Sequence, residues 1–540
     1  MIMSETAQAK ESKVKGNKNT DQLATFKQIL LPVTTYFQSY VESGRIDMDL
    51  LYMITYMNSI ATADIARDEI FRRVSEREEF VCSKYMKQVY MLAKNWNYEY
   101  SVACAIVSKR VANKRLKDLL ARLANAMSSG EPEKKFLENE WLTMMTVYKN
   151  EYERSLESLR KWTDAYTALL VSMSFISITV LLSVILYNLG DTQTTLYSTA
   201  FLTAMVGGIG VYVLRAEAPK EKKTHHLRYR SVEQQQVIDM SKILIPAAVL
   251  FLIFLFLINV NFGFILIILG LVIAPIGFIG MIDDKNIDKR DRDFSQFTKM
   301  LGSAVGGMGV TVKEGITKVD KKSIGSLQPL VEKLYVQLIM GIEPRLCWVK
   351  FVGSSGSDLI DKFTYIFLDG LDLGGDATKI GKLVNNTNLE VVLLRMKRSL
   401  VASSFTTLII PLHVSMSCLI VFIVEILVIF STMINKLYSS MDGFDLGGGS
   451  TGGAGVSSAA LGFNLFQNVP TEFLQQYSII LVIVLTLVNT TAAKVVVGGN
   501  NYKYCYYGAI MLVLSGLSLI IVPIVVQAIF SFPTLTAGGI

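Results

Sequence analysis

No charged residue falls between Lys242 and Asp283, and comparable uncharged runs lie between Asp164 and Asp191, Asp191 and Arg215, Arg398 and Glu425, Glu472 and Lys494, and from Lys503 to the end of the chain. A bilayer core takes about 20 apolar residues as a helix. The run 243–282 would reach about 60 Å as one rod, twice that thickness. Its centre reads NVNFG at 259–263, a turn-forming cluster, so the run predicts two spans folded as a hairpin. Seven spans result, near 166–187, 196–214, 243–258, 264–282, 402–430, 474–493 and 505–530.

The connections differ in charge. Residues 215–242 hold Arg215, Lys220, Lys222, Lys223, Arg228, Arg230 and Lys242, and 494–503 holds Lys494 and Lys503. The alternate connections near 188–195 and 259–263 hold no lysine or arginine, 432–473 holds Lys436, and the tail after 530 holds none. Basic loops stay in the cytoplasm, so the pattern predicts a multi-pass cell-membrane protein with its N-terminus cytoplasmic and its C-terminus outside.

Composition agrees. Of 540 residues 51% are apolar and 18% charged, against about 25% charged in ordinary soluble proteins. The net charge of +7 is modest. Cys82, Cys104, Cys347, Cys418 and Cys505 lie far apart with no CxxC pair, and the three histidines do not cluster near them. That argues against a disulfide framework and a zinc site. No cofactor or nucleic-acid partner is expected.

Two polar regions remain on the predicted cytoplasmic side. Residues 1–20 lack an apolar signal-peptide core and read as a disordered basic arm. A first helical domain follows at 21–164, in which Leu116, Leu119, Leu120, Leu123 and Met127 share one helical face. Gly130 reads as its C-cap and Pro132 as the opening of the next helix. From there Trp141, Met145, Tyr148, Tyr152, Ser155, Leu159 and Trp162 recur at alternating four- and three-residue steps. This is either the seam of a helical stalk or the buried face of a bundle helix; both join the helix rigidly to the first span. Spans one to four occupy 165–282, a second helical domain 283–398, and spans five to seven 399–540, with a Gly-rich outer loop at 432–472. In the second domain Leu359, Phe363, Ile366 and Gly370 mark one face before a Gly-Gly-Asp turn and a helix entering the membrane. Leu116 and Asp118 match Leu359 and Asp361, and Ser-Gly-Glu at 129–131 matches Gly-Gly-Asp at 374–376. The fold class is therefore an all-α integral membrane protein: seven transmembrane helices and two cytoplasmic helical bundles forming a weak internal repeat.

The stretch LDGLDLGGDATKIGKLV (368–384) looks superficially like a phosphate-binding loop. That loop needs G-x-x-x-x-G-K-[ST] between a strand and a helix. Here Gly375 and Gly381 are separated by five residues, Leu383 follows Lys382, and a helix precedes. The glycines read instead as a helix-to-helix turn, with Gly374 or Gly375 at positive φ and Asp376 capping the next helix. The chain is not expected to be an enzyme.

Two helical domains each leading into membrane spans, together with the text GMGVTVKEGI…LYVQLIMGIEPRLCWVKFVGSSGSDLIDKFTYIFLDGLDLGGD (307–376), resemble the assembly platforms of archaeal type IV filaments. These are the archaellum platform family (FlaJ/ArlJ) and its archaeal pilus relatives, within the general-secretion F and TadC-like superfamily. The Gly-rich loop at 432–472 departs from the family pattern. The resemblance implies a homodimeric platform without catalysis. It would dock a cytoplasmic hexameric secretion ATPase, meet pilin or archaellin subunits in the membrane, and pass rotation to the filament in an archaellum.

Several residues are candidates for such work. Lys313, Lys318, Lys321 and Lys322, and Lys379, Lys382, Arg395, Lys397 and Arg398, could dock the ATPase or an acidic lipid surface. For 395–398 the simpler alternative is positive-inside anchoring. In LGSAVGGMG (301–309), Gly302, Gly306 and Gly309 or Ala304 offer a close-packing face, or else flexibility. Glu425 is the acid in an otherwise apolar stretch. Counted from Leu400 it reaches the outer interface, and counted from Pro411 it is buried within the bilayer, where an acid is functional by default. The interface is the favoured placement. His413 is expected to bond a carbonyl freed by Pro411. A secondary transporter is the competing function, but one ambiguous acid falls short of the mid-membrane polar groups that coupled transport needs.

Overall fold

The computed structural model describes residues 49–187, 192–258, 260–442 and 471–530. The basic arm at 1–20 and residues 21–48 of the first predicted domain, residues 188–191 and 259, residues 443–470 of the predicted Gly-rich loop and the tail after 530 lie outside the described residues, while 432–442 and 471–472 of that loop are helical. What is described is all-α: β structure among these residues is limited to an isolated bridge between Thr224 and Ser357.

Seven helices among the described residues are long and apolar enough to cross a membrane. They are α6 (Glu133–Tyr187), α7 (Thr192–Glu217), α8 (Val232–Leu257), α9 (Phe262–Met308), α14 (Ala377–Asp442), α15 (Thr471–Val497) and α16 (Lys503–Ile529). The predicted hairpin is present: Asn261 accepts from the Gly263 amide at 3.0 Å and opens α9 four residues after α8 ends. The described residues thus form an all-α membrane protein with seven helices of spanning length.

The remaining helices are α1 (helical over 49–61), α2 (Arg67–Ser75), α3 (Ser83–Asn95), α4 (Tyr100–Ser108), α5 (Lys114–Ser128), α10 (Val312–Lys318), α11 (Gln328–Ile339), α12 (Pro344–Ser355) and α13 (Asp358–Asp372), with a 3-10 helix at Lys321–Leu327. The chain folds into two compact units, each assembled from distant parts of the sequence. The first takes residues up to 150 with 295–319 and 362–387; the second takes 151–294, 320–361 and 388 onward.

In the first unit α1 is buried on every side. It sets the Tyr52 ring edge-on against Phe363, centroids 5.6 Å apart, and Ser59 donates to the Ile366 carbonyl at 3.0 Å. The Tyr56 hydroxyl donates to Asp369 at 3.1 Å, and Arg77 pairs with the same carboxylate. Burial, then the Asp369 charge, pushes the Tyr56 phenol up to about 12. The leucine face of α5 is buried as predicted, and Asn113 caps that helix by accepting from the Leu116 amide at 2.9 Å.

In the second unit the spans bury a continuous apolar core including Tyr166, Leu181, Phe405, Ile420, Tyr477 and Leu485. Gly263, Gly270 and Gly277 recur every seven residues along α9, and the backbone of α16 approaches each of them. Small residues at such crossings let helix backbones come close where water supplies no hydrophobic drive.

The face of α6 follows the predicted seam only at first. Trp141, Tyr148 and Tyr152 are buried, but the stripe continues through Leu156, Leu159, Thr163 and Tyr166, while Trp162 is exposed. A straight helix repeats every 3.6 residues and drifts about 20° per heptad from a 3.5 pattern. The buried face of an ordinary bundle helix is therefore the form α6 takes.

Candidate functional site

The turn that resembles a phosphate loop is fully committed within the chain. Gly374, at φ +83°, donates to the Leu371 carbonyl at 2.9 Å, and Gly375 donates to Gly370 at 2.9 Å. This is the Schellman closure of α13. Asp376 then accepts from the Thr378 and Lys379 amides, each at 3.1 Å. The N–H groups that would cradle a phosphate are thus occupied. The same closure ends α5, where Gly130 has φ +76° and bonds Met127, while Glu131 bonds Ala126. The repeat is therefore visible in three dimensions: two helices of 15 residues, each ended by a left-handed glycine and followed by a very long helix. Gly130 corresponds to Gly374 rather than to Gly375, one residue from the sequence match.

Beside that turn, α9 and α14 cross through glycines. A Cβ on Gly302 would stand 2.5 Å from the Ala377 carbonyl oxygen and 2.8 Å from the Gly381 Cα. One on Gly306 would meet Thr378. Close packing is thus the use these glycines serve, with Ala304 buried and Gly309 ending α9 at φ +62°. In the first unit Lys313 and Lys318 on α10, and Lys379 and Lys382 on the first turns of α14, are exposed. In the second unit Lys321, Lys322 and Lys397 are exposed. Lys379 lies 3.6 Å from Asp376, Lys321 lies 3.7 Å from Glu332, and Lys397 pairs with Glu153 at 2.5 Å.

Arg395 and Arg398 differ from this surface set: both are buried. Three residues apart on α14, they turn inward while Lys397 turns out, as the helical period requires. Neither presents its charged face to a docking protein. Arg395 donates to Asp291 and to the Lys222 carbonyl, both at 2.9 Å, and lies 3.2 Å from Glu221. Arg398 donates to the carbonyls of Pro219, Val495 and Val496 at 2.8, 3.2 and 3.3 Å.

These arginines belong to a buried charged layer to which α9 supplies Asp283, Asp284, Asp288 and Asp291. Lys223 and Lys503 both reach Asp284 at 2.6 Å, and Lys223 also reaches Asp288 at 2.8 Å. Burial alone would lower the Lys223 ammonium, but the two aspartates outweigh it and its pKa rises. Burial lifts the Asp291 carboxyl to about 6 against the pull of Arg395 and Ser357. Arg290 meets Glu233 at 3.1 Å, and Ser231 and Gln234 donate to Asp283 at 2.9 and 3.3 Å. Sequence reading missed this layer. Its signal was present: Asp284, Asp288 and Asp291 fall at i, i+4 and i+7, one face of a helix.

Inside the spans His413 does not bond a carbonyl freed by Pro411. The imidazole points across to α15 and α16, where Nδ1 accepts from the Asn489 amide at 3.1 Å and Nε2 lies 2.8 Å from the Ser515 hydroxyl. Asn489 in turn accepts from Tyr166 at 3.0 Å, and Ser515 lies 2.7 Å from Thr486. Four helices are joined by this chain of bonds. Glu425 is buried, with its carboxylate bonded by Gln475, in the second turn of α15.

Fold and charge layer together define a multi-span membrane scaffold with an extensive polar helical portion. Two curated proteins are similar to it over most of their length. Flagella accessory protein J of Methanocaldococcus jannaschii is 25% identical over 417 residues, covering 74% of this chain and 72% of that protein. Flagella accessory protein J of Methanococcus voltae is 21% identical over 422 residues, covering 75% and 74%. The resemblance to the archaellum platform family thus extends far beyond residues 307–376. No family model matches the chain, and no solved structure matches it.

Proposed function

We propose that this chain is the membrane platform on which an archaellum is assembled, coupling a cytoplasmic hexameric ATPase to the entry of archaellin subunits into the filament and to its rotation. One observation carries the reading: α6, α9 and α14 each hold a polar portion and an apolar span in one uninterrupted helix, of 55, 47 and 66 residues. At 1.5 Å per residue α14 is about 99 Å long. A displacement applied to the polar end of such a rod reaches the span without a loop to absorb it. The basic connections 215–242 and 494–503 support a cytoplasmic side for the polar portions and the N-terminus.

The exposed lysines Lys313, Lys318, Lys379 and Lys382 are the surface offered to the ATPase, with Lys321, Lys322 and Lys397 as further contacts. The platform works as a homodimer. The test is a pull-down of the cognate ATPase with the full chain, comparing wild type with Lys313, Lys318, Lys379 and Lys382 changed to glutamate. Loss of binding is expected; undiminished binding removes this surface. ATP hydrolysis by the purified chain alone would contradict the platform reading itself.

A further inference from the structure

Cations in the charged layer are matched by carboxylates: Lys223 and Lys503 by Asp284, Arg290 by Glu233, and Arg395 by Asp291 and Glu221. At the ends of α7 and α15 the matching stops. Arg398 is buried and spends three N–H groups on the carbonyls of Pro219, Val495 and Val496. A guanidinium has five N–H donors, so two are left over. Lys494, near the end of α15, is held in place by Asn501 Oδ1 at 3.1 Å and by the Tyr504 ring, 4.9 Å from its ammonium. Arg215, in the last turn of α7, is exposed; α7 packs along α15, and the Pro219 carbonyl just beyond α7 is bonded by Arg398. Among the described residues no carboxylate pairs with any of the three. Glu217, two residues beyond Arg215, accepts from Ser158 at 2.8 Å. Asp284, against Gly499, is already shared by Lys223 and Lys503.

A cation in the last turn of a helix is favoured by the helix dipole, but Arg398 already fills the end carbonyls of α15 and the one beyond α7. Among the described residues, Lys494 and Arg215 are therefore left with their charge unanswered where two spans end. We propose that Arg215, Lys494 and the spare donors of Arg398 bind the phosphate of an anionic lipid headgroup. A phosphate diester supplies the missing negative charge and accepts from several donors at once. Lys494 and Arg398 are preset by their protein contacts, and Arg215 closes over the headgroup from α7.

The test uses the full chain in detergent micelles, following thermal unfolding during titration with phosphatidylglycerol, phosphatidylcholine or inorganic phosphate. Phosphatidylglycerol is expected to raise the Tm saturably and phosphatidylcholine to leave it unchanged. The R215Q/K494Q variant is expected to lose most of that rise, and R215K/K494R to keep it. Should the double glutamine variant fail to fold, exposed Arg215→Gln alone carries the comparison. A rise as large in the glutamine variants as in wild type overturns the site. An equal saturable rise with inorganic phosphate overturns the lipid as its source while keeping the phosphate chemistry.

Discussion

Arg395 and Asp291, 104 residues apart in sequence, form an ion pair with 8% and 1% of their side chains exposed. The guanidinium donates to Oδ2 at 2.9 Å, and the Ser357 hydroxyl donates to the other carboxylate oxygen. Removing one partner of such a pair strands a buried charge, at about 3–5 kcal/mol. Arg395→Met or Asp291→Asn alone is therefore expected to lower the thermal unfolding temperature sharply in detergent. The double change R395M/D291L is expected to recover much of it. A single variant as stable as wild type would show the pair to be unimportant.

Gly302 and Gly307 share a helix but not a role. Alanine at 302 pushes a methyl group into the Ala377 carbonyl and the Gly381 backbone, which cannot retreat as a side chain could. A loss of about 1–3 kcal/mol is expected. At Gly307 nothing lies within 4 Å of the added atom, so G307A is expected to stabilise by about 0.5–1 kcal/mol through the restricted unfolded chain. Chemical denaturation of the two variants in parallel checks the contrast in sign.

Gly374 is required for its backbone. Alanine fits the open space around it, yet φ +83° costs an L-residue about 1–2 kcal/mol. G374A and G130A are expected to lose similar stability, since both close a Schellman turn. Nucleotide should not shift the melting temperature of either variant or of wild type, since this turn's amides are spoken for.

His225 makes stability depend on pH. Its Nδ1 accepts from the Leu227 amide and its Nε2 lies 3.1 Å from the Gly353 carbonyl, an arrangement for the neutral ring. Burial first, with Arg230 and His226 adding to it, holds its pKa below the ordinary 6.5. Below 6.5 the unfolded chain therefore binds the proton more readily than the folded one. The stabilising contribution is complete above 6.5 and is lost as pH falls from there through the folded value. The advantage of wild type over H225Q in thermal unfolding should accordingly shrink between pH 7.5 and pH 5.5. An advantage that grew on acidification would reverse the sign.

Much of the fold could be read from the chain because the signals are local. An uncharged run of 40 residues interrupted by NVNFG specifies a hairpin within its own length. Leu116, Leu119, Leu120, Leu123 and Met127 are buried together because one helical face collects them. Asp376 caps α14 because the amides it bonds are two and three residues away. The reading failed where identity had to stand for environment. Lys397 and Arg398 are adjacent and equally basic, yet one is exposed and the other buried.

What the sequence by itself determined, then, is the period of each helix, the number of spans, the turns between helices and the excess of cations in alternate connections. Each depends on residues within a few turns of one another, whose geometry the backbone fixes. Tertiary structure alone decided that Arg395 meets Asp291, that His413 faces Asn489 and Ser515, and that Arg215, Lys494 and Arg398 gather at the ends of α7 and α15 with no carboxylate pairing them among the described residues. Those outcomes follow from which helices pack side by side, since burial and counter-charge are properties of a neighbourhood assembled from residues 76 or more positions apart.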